Sequence, residues 1–381
     1  MLSSELRFFD VEGGIFVEDT SIFLRACRGE RTASTPVWYM RQAGRYDPDY
    51  RKIKEKYSLL EICRQPELAA EITMMPIQKL GVDAAILYSD IMNPVAPMGI
   101  QFDIVSNIGP VIDNPIRSYA DVLALRPLVA EEGLPHILQT IKLLRKKLNV
   151  PLIGFAGAPF TIASYLVEGR PSRTYAKTKQ MMYREPATWA LLMEKLGDMV
   201  VSYLDAQIRA GAQAVQVFDS WVGALSVPDF EKYVLPTIER IFSKLQALQA
   251  MKPSATRAPL IYFPGINSGE LLRSLDQVQA DVIGIDWRTP ISQARTRLAG
   301  GVKHRAIQGN LDPYALFAPK DQLEQMAAEI IRAGTEQPGY IFNLGHGLFP
   351  EAPMETLKEL TQFVQQYSRS NAMEMMKGLR T

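Results

Sequence analysis

Two arginines stand four residues apart in a stretch of small residues, Arg41-Gln42-Ala43-Gly44-Arg45. Each guanidinium is a planar fork that suits a carboxylate or a phosphate. Two such cations at one place repel unless anions come between them. The pair therefore reads either as a grip on an acidic ligand or as part of an ion-pair network. Gly44 lets the backbone come close to a ligand, and the N–H groups of the loop could themselves bind an anion. Asp90 follows an apolar run that holds Ile86 and Leu87. A carboxylate at such a boundary is partly desolvated. It could hold a cationic intermediate, accept an N–H, or cap the next loop. His346 lies between Gly345 and Gly347, which strips steric cover from the imidazole. Tyr165 and the Asp219-Ser220 pair complete the candidates, and His136 and His304 are assigned no role.

These residues share a position relative to the predicted elements. Eight short apolar runs recur along the chain: 37–41, 83–90, 151–159, 214–220, 259–265, 282–287, 305–310 and 340–347. Their continuous apolarity, without alternation, marks parallel strands covered on both faces. Helical segments are expected between them, at 66–80, 186–210, 228–250, 268–278, 290–299, 319–333 and 353–367. Pro66 and Pro186 suit first-turn positions, and Gly81 and Gly211 suit the ends. Eight strands alternating with helices predict an α/β chain folded as a single (β/α)8 TIM-type barrel. The alternative, an open doubly wound sheet, would usually carry GxGxxG after a strand, and none is present. In such barrels chemistry is built at the C-terminal ends of the strands, where the candidates fall. The expected organisation is an N-terminal extension (1–35) packing on the barrel, the barrel itself (36–368) with a long insertion between strands two and three (91–149), and a C-terminal tail (369–381).

Composition narrows the function classes. Lys and Arg number 42 against 41 Asp and Glu, so no chain-wide basic footprint for nucleic acid exists. The cluster Arg145, Lys146 and Lys147 reads as a wet helix face. Two cysteines, Cys27 and Cys63, exclude a disulfide framework and any cage of three or more thiolates. No apolar run is long enough for a membrane span, and the acidic first forty residues suit neither a transit nor a signal peptide. A cytoplasmic setting is expected. No lysine ends a strand, which disfavours Schiff-base chemistry. Neither a GxSxG elbow nor a Walker loop occurs.

Longer motifs then become recognisable. PVWYMRQAGRY (36–46), YSDI (88–91), GFAGAPFTIASYLVEG (154–169), VQVFDSWVG (215–223), IGIDW (283–287), QGNLDP (308–313) and FNLGHG (342–347) closely resemble, in order, the signatures of the uroporphyrinogen decarboxylases. The resemblance spans roughly 36–368. It implies a barrel with a deep cleft at its C-terminal face, a homodimer with facing clefts, and no cofactor or metal. The activity implied is removal of the four acetate carboxyls of uroporphyrinogen III, giving coproporphyrinogen III and CO2 in haem and chlorophyll biosynthesis. By matching positions, Arg41 and Arg45 would grip substrate carboxylates, with backbone contacts from Gln42, Ala43 and Gly44. Asp90 would be the essential aspartate. Arg41, Tyr165 and His346 would join it in catalysis, Ser220 would bind substrate, and Phe155 and Phe218 would line the cleft. Asp219 and Trp221 are given no role. Two rivals are a corrinoid-linked methyltransferase, expected to hold zinc through His and Cys late in the barrel, and a non-catalytic tetrapyrrole carrier. Both early cysteines argue against the first, and the intact set Arg41, Asp90, Tyr165 and His346 against the second.

Overall fold

A computed structural model describes residues 8–9, 15–16, 21–105, 108–300 and 305–378, the last eight of these as helical backbone only. Its centre is a curled parallel sheet of seven strands: β1 (Ala85–Ile86), β2 (Leu152–Gly157), β3 (Ala214–Phe218), β4 (Leu260–Phe263), β5 (Val282–Gly284), β6 (Ala306–Gln308) and β7 (Tyr340–Ile341). Each pairs in parallel with its predecessor in the chain, in the order β7-β6-β5-β4-β3-β2-β1. All six residues of β2 are buried, as a strand covered on both faces must be.

The expected first strand is a correction. Residues 37–41 do not form a strand. Val37 makes a single parallel bridge to Phe342. On its other side the Val37 carbonyl accepts from the Asp83 N–H at 2.8 Å. The Asp83 carboxylate in turn accepts from the Val37 N–H at 2.9 Å. This segment therefore bonds to both edges of the sheet through isolated contacts. Extension stops there because Gln42, wholly buried, turns the chain: its Oε1 accepts from the Tyr39 N–H and its Nε2 donates to the Ala84 carbonyl.

Helices cover the outside. Helix α1 (Ile22–Cys27) lies within the expected extension and buries Phe23, Leu24, Ala26 and Cys27. Helix α2 (Pro66–Leu80) starts on proline and ends at Gly81 in the left-handed region, φ 70°. The expected insertion contains an antiparallel hairpin (Phe102–Val105 with Gly109–Ile112) and helix α3 (Pro135–Lys147), whose last turn carries the predicted basic cluster. Helix α4 (Pro159–Glu168) follows β2 directly and is buried on nearly every face. Helix α5 (Pro186–Ala210) buries Trp189, Leu192, Leu196, Met199, Tyr203 and Leu204 along the stripe read from the sequence. The helix expected at 228–250 is two, Val227–Tyr233 and Leu235–Leu248, broken where Pro236 restricts the preceding residue. The segment expected at 268–278 is a 3-10 stretch, Gly269–Leu275. The last helix, Met354–Gly378, runs past its expected end.

Inside the ring a polar chain crosses the core below the C-terminal mouth. Trp38 Nε1 donates to Gln308 Oε1 at 2.8 Å, and Gln308 Nε2 donates to Gln216 Oε1 at 3.2 Å. These partners satisfy groups that would otherwise be buried at a cost of about 1–3 kcal/mol each.

Candidate active site

Arg41 follows the Val37 bridge and takes a left-handed backbone, φ 61°. A non-glycine residue held there stores on the order of 1–3 kcal/mol, so the surrounding packing must impose it. The packing is visible. The Met40 N–H bonds to Asn343 Oδ1 at 3.2 Å, and the Leu348 N–H bonds to the Met40 carbonyl at 2.9 Å. The arginine loop is thus tied to the chain after β7. Gly44 is required by close approach: a Cβ there would stand 2.8 Å from the Arg41 carbonyl oxygen. The same holds for the two glycines around His346. A Cβ on Gly345 would meet the Trp287 backbone nitrogen at 2.3 Å, and one on Gly347 would meet Arg41 Cδ at 2.5 Å. The glycines do more than uncover the imidazole, because one of them makes room for the arginine.

Asp90 does not close a strand. It lies four residues beyond β1 in irregular chain and stays half-buried. One oxygen, Oδ1, accepts from the Met92 N–H at 2.8 Å, which is the capping role weighed from the sequence. No described residue bonds to Oδ2. Enclosure by protein raises the Asp90 carboxyl above the usual range, while the Met92 N–H and the Arg41 charge pull it back down. The site is therefore enclosed by protein yet reached by solvent from its mouth.

Tyr165, on α4, is half-buried, and its phenol is pushed up by burial and by the Asp90 charge, with Arg41 opposing. It remains protonated and able to donate. Its ring lies against Trp221, centroids 4.0 Å apart. His346 is pushed down to about 4 by desolvation and by Arg41 and Arg288, so its ring is uncharged at neutral pH. It meets the edge of Trp287 at 6.3 Å. Arg41 is thus the charge felt in common by Asp90, Tyr165 and His346, brought from two loops and the helix α4. Phe155 and Phe218, neighbours on β2 and β3, meet edge to face at 5.5 Å, and Phe218 continues to Phe263 at 6.3 Å. Ser220 is half-buried directly after β3. Arg45 is exposed and its charge acts on Tyr50 and Lys54, towards the outer side of the loop. Gln42 and Ala43 are buried and half-buried beneath the loop, with the Gln42 side chain bonded inward.

Four residues without a sequence role belong to this constellation. Trp221 walls Tyr165. Trp287 and Arg288 form a pair beside His346, with the guanidinium 4.0 Å over the indole. Asp219 is wholly buried and accepts from Thr161 Oγ1 at 2.7 Å and Tyr262 OH at 3.0 Å. Thr161 lies one turn before Tyr165, so the carboxylate joins α4, β3 and β4. Burial pushes Asp219 up to about 6, the two hydroxyls opposing. The signal was adjacency: Asp219 and Trp221 flank Ser220, and Trp287 and Arg288 stand at the end of the 283–287 motif.

Two surface hollows lie elsewhere. One is lined by Trp189, Met193, Tyr233 and Arg240, the other by Arg64, Asn93, Gln101 and His136. Neither includes Arg41, Asp90, Tyr165 or His346. The convergent charges lie at the mouth of the barrel instead. Cys27 and Cys63 are both buried. Among the described residues no group of three or more His, Cys, Asp and Glu is placed to hold a metal ion. No helix among them is long and apolar enough to cross a membrane.

The uroporphyrinogen decarboxylase family model matches residues 19–367. The uroporphyrinogen decarboxylase of Geobacillus sp. (strain WCH70) is 54% identical over 91% of this chain and 97% of its own. That of Halalkalibacterium halodurans is 54% identical over 92% and 98%. Among solved structures, a methyltransferase from Methanosarcina mazei superposes with a TM-score of 0.72 at 16% identity, covering 92% of this chain and 99% of that one. At such identity the likeness concerns the fold alone. With more than half of the aligned residues shared across nearly the full length of both relatives, the chain belongs to the uroporphyrinogen decarboxylase family.

Proposed function

We propose that the chain is a carboxy-lyase that converts the four acetate arms of uroporphyrinogen to methyl groups, giving coproporphyrinogen and CO2. The observation that carries this reading is the gathering of Asp90, Tyr165 and His346 around the Arg41 guanidinium, which has no ion-pair partner among the described residues, in a member of this family.

The chemistry asks for what these residues offer. Breaking the bond between an acetate CH2 and its carboxyl leaves an electron pair on carbon. Prior protonation of the adjacent pyrrole α-carbon turns the ring into a cationic iminium that accepts this pair as CO2 departs. A proton added to the exocyclic carbon then completes the methyl, and loss of the α-carbon proton restores the pyrrole. The net change is one proton taken up and one CO2 released per arm. The transient cation needs a fixed anion, and Asp90 Oδ2 faces no other described donor. In an enclosed site such a charge contact supplies about 3–4 kcal/mol, the scale of a single oxyanion-hole donor. The Arg41 charge offsets part of the upward push that burial gives the Asp90 carboxyl, and Arg41 binds a carboxylate. Arg45 binds another from the outer side of the loop. Tyr165 serves as a neutral donor, and uncharged His346 as a hydrogen-bonding partner rather than an acid. Ser220 contacts a carboxylate, and Phe155 and Phe218 pack on the macrocycle.

The chain pairs with a second copy in this reading. An aromatic patch of Tyr314 (62% exposed), Phe317 (58% exposed) and Phe349 follows β6 and β7 on the face that carries the site. Its rings stack at 4.6–6.3 Å. Open stacked aromatics of this kind mark association surfaces. Sedimentation of the purified protein tests the pairing. Anaerobic incubation with uroporphyrinogen, followed by counting carboxyls in the product, tests the activity. An unchanged octacarboxylate would overturn it.

A further inference from the structure

Arg288 has no part in the family motifs and none in the mechanism above. It follows Asp286-Trp287 at the C-terminal end of β5, and its position is fixed on both sides. Its N–H donates to Asp286 Oδ1 at 3.1 Å, and that wholly buried carboxylate also takes Thr289 Oγ1 and the Asn267 N–H. Asn310 Nδ2 clamps the same turn from β6 through the Asp286 and Thr289 carbonyls, each at 2.7 Å. Its guanidinium lies 4.0 Å over the Trp287 ring, which in turn meets His346 edge-on. The cation is exposed and, among the described residues, has no carboxylate within ion-pair distance. Yet its charge reaches His346. A flexible cation is thus held flat on an aromatic platform, on a rigid turn, beside the site and without a counter-ion. Cation–π contact immobilises the head while leaving its edge N–H groups free to donate.

We propose that Arg288 is a substrate-binding contact that holds a propionate carboxylate of the tetrapyrrole at the rim of the mouth. The proposal rests on the reading of the chain as a decarboxylase of uroporphyrinogen. A propionate is present in substrate and product alike, so the contact is uniform binding and acts on affinity rather than on turnover.

The test is steady-state kinetics of wild type, Arg288→Gln and Arg288→Lys with uroporphyrinogen, together with inhibition by coproporphyrinogen. One charge-assisted hydrogen bond is worth about a tenfold change in affinity. Arg288→Gln should raise the KM for substrate and the inhibition constant of product by that same factor, with kcat within about twofold. Arg288→Lys should recover part of both. A KM within twofold of wild type overturns the proposal. So does a fall in kcat at unchanged KM, which is the signature of a role in the reacting geometry. Wild type that releases no CO2 from uroporphyrinogen overturns the underlying reading instead.

Discussion

Asp219 is the buried charge whose cost can be worked from the structure. Its carboxyl moves from 3.8 to about 6 on folding because burial outweighs the Thr161 and Tyr262 hydroxyls. Each tenfold change in proton affinity is 1.36 kcal/mol, so ionisation in the folded state costs about 3 kcal/mol. The sign follows from proton counting. Between the two values the folded chain holds the proton and the unfolded chain does not, so stability falls as pH rises through this window. Asp219→Asn keeps the shape and removes the titration. Relative to that variant, wild type should gain about 2 kcal/mol on going from pH 7.5 to pH 4.5, most of the full difference. An unfolding entropy of about 2.1 cal/mol/K per residue gives about 0.8 kcal/mol/K for 381 residues. The difference in melting temperature between wild type and variant should therefore shift by about 2–3 °C in favour of wild type at the lower pH. Paired scanning calorimetry at the two pH values measures it. A difference that stays constant with pH, or one that moves the other way, would refute the argument that burial dominates at this residue.

Other expectations are as direct. Asp90→Asn removes the anion proposed to steady the pyrrole cation; turnover should drop by at least about 10²–10³-fold with the circular dichroism spectrum unchanged. Near-normal rates in that variant would dismiss the charge role. Gly347→Ala places a methyl where Arg41 Cδ and Cγ now lie, at 2.5 and 2.8 Å. Because the arginine side chain can swing away, the melting temperature should hold within about 1 °C while kcat/KM falls at least tenfold. Loss of stability with retained activity contradicts it. His346, held down to about 4, is neutral on both sides of pH 6.5. His346→Gln should lower kcat/KM yet leave the shape of its pH profile between 6 and 8 unaltered; removal of an ionisation near 6.5 from that profile would show that the imidazole titrates there after all.

Long elements with strong periodicity were legible in the sequence, and short ones were not. Helices α2 and α5 match their expected spans because proline, glycine and an apolar stripe act together at both. The strands are trimmed. The run 83–90 supplies only Ala85–Ile86 to the sheet, and Asp90 consequently sits in a loop where it caps Met92. Apolarity marked burial there correctly, but sheet pairing ends with the Leu87 N–H on the Ile153 carbonyl, and the Tyr88 N–H turns to Thr73 Oγ1. The run 37–41 fails for a different reason. Its hydrogen bonds go to Asn343, Gln42 and the Phe342 carbonyl, all long-range or side-chain partners that no local pattern announces. At the site, residue types pointed to Arg41, Asp90 and His346. What they could not reveal was which neighbours are shared. The stacking of Trp221 on Tyr165 and the three-way carboxylate of Asp219 each depend on packing between elements distant in sequence.

The isolated bridge between Val37 and Phe342 has a consequence for the timing of synthesis. Contacts between segments so distant in the chain form late, because loop closure must precede them. A chain still on the ribosome and short of β7 has no Phe342 to bridge Val37 and no Asn343 to receive Met40. It also lacks Gly347, against which Arg41 lies. The arginine loop emerges long before these partners and until then is held on one side only, through Asp83 and Ala84. Anion grip, imidazole and ring closure arrive together with the final strand, so a truncated product of this gene keeps most of the sheet and none of the assembled mouth.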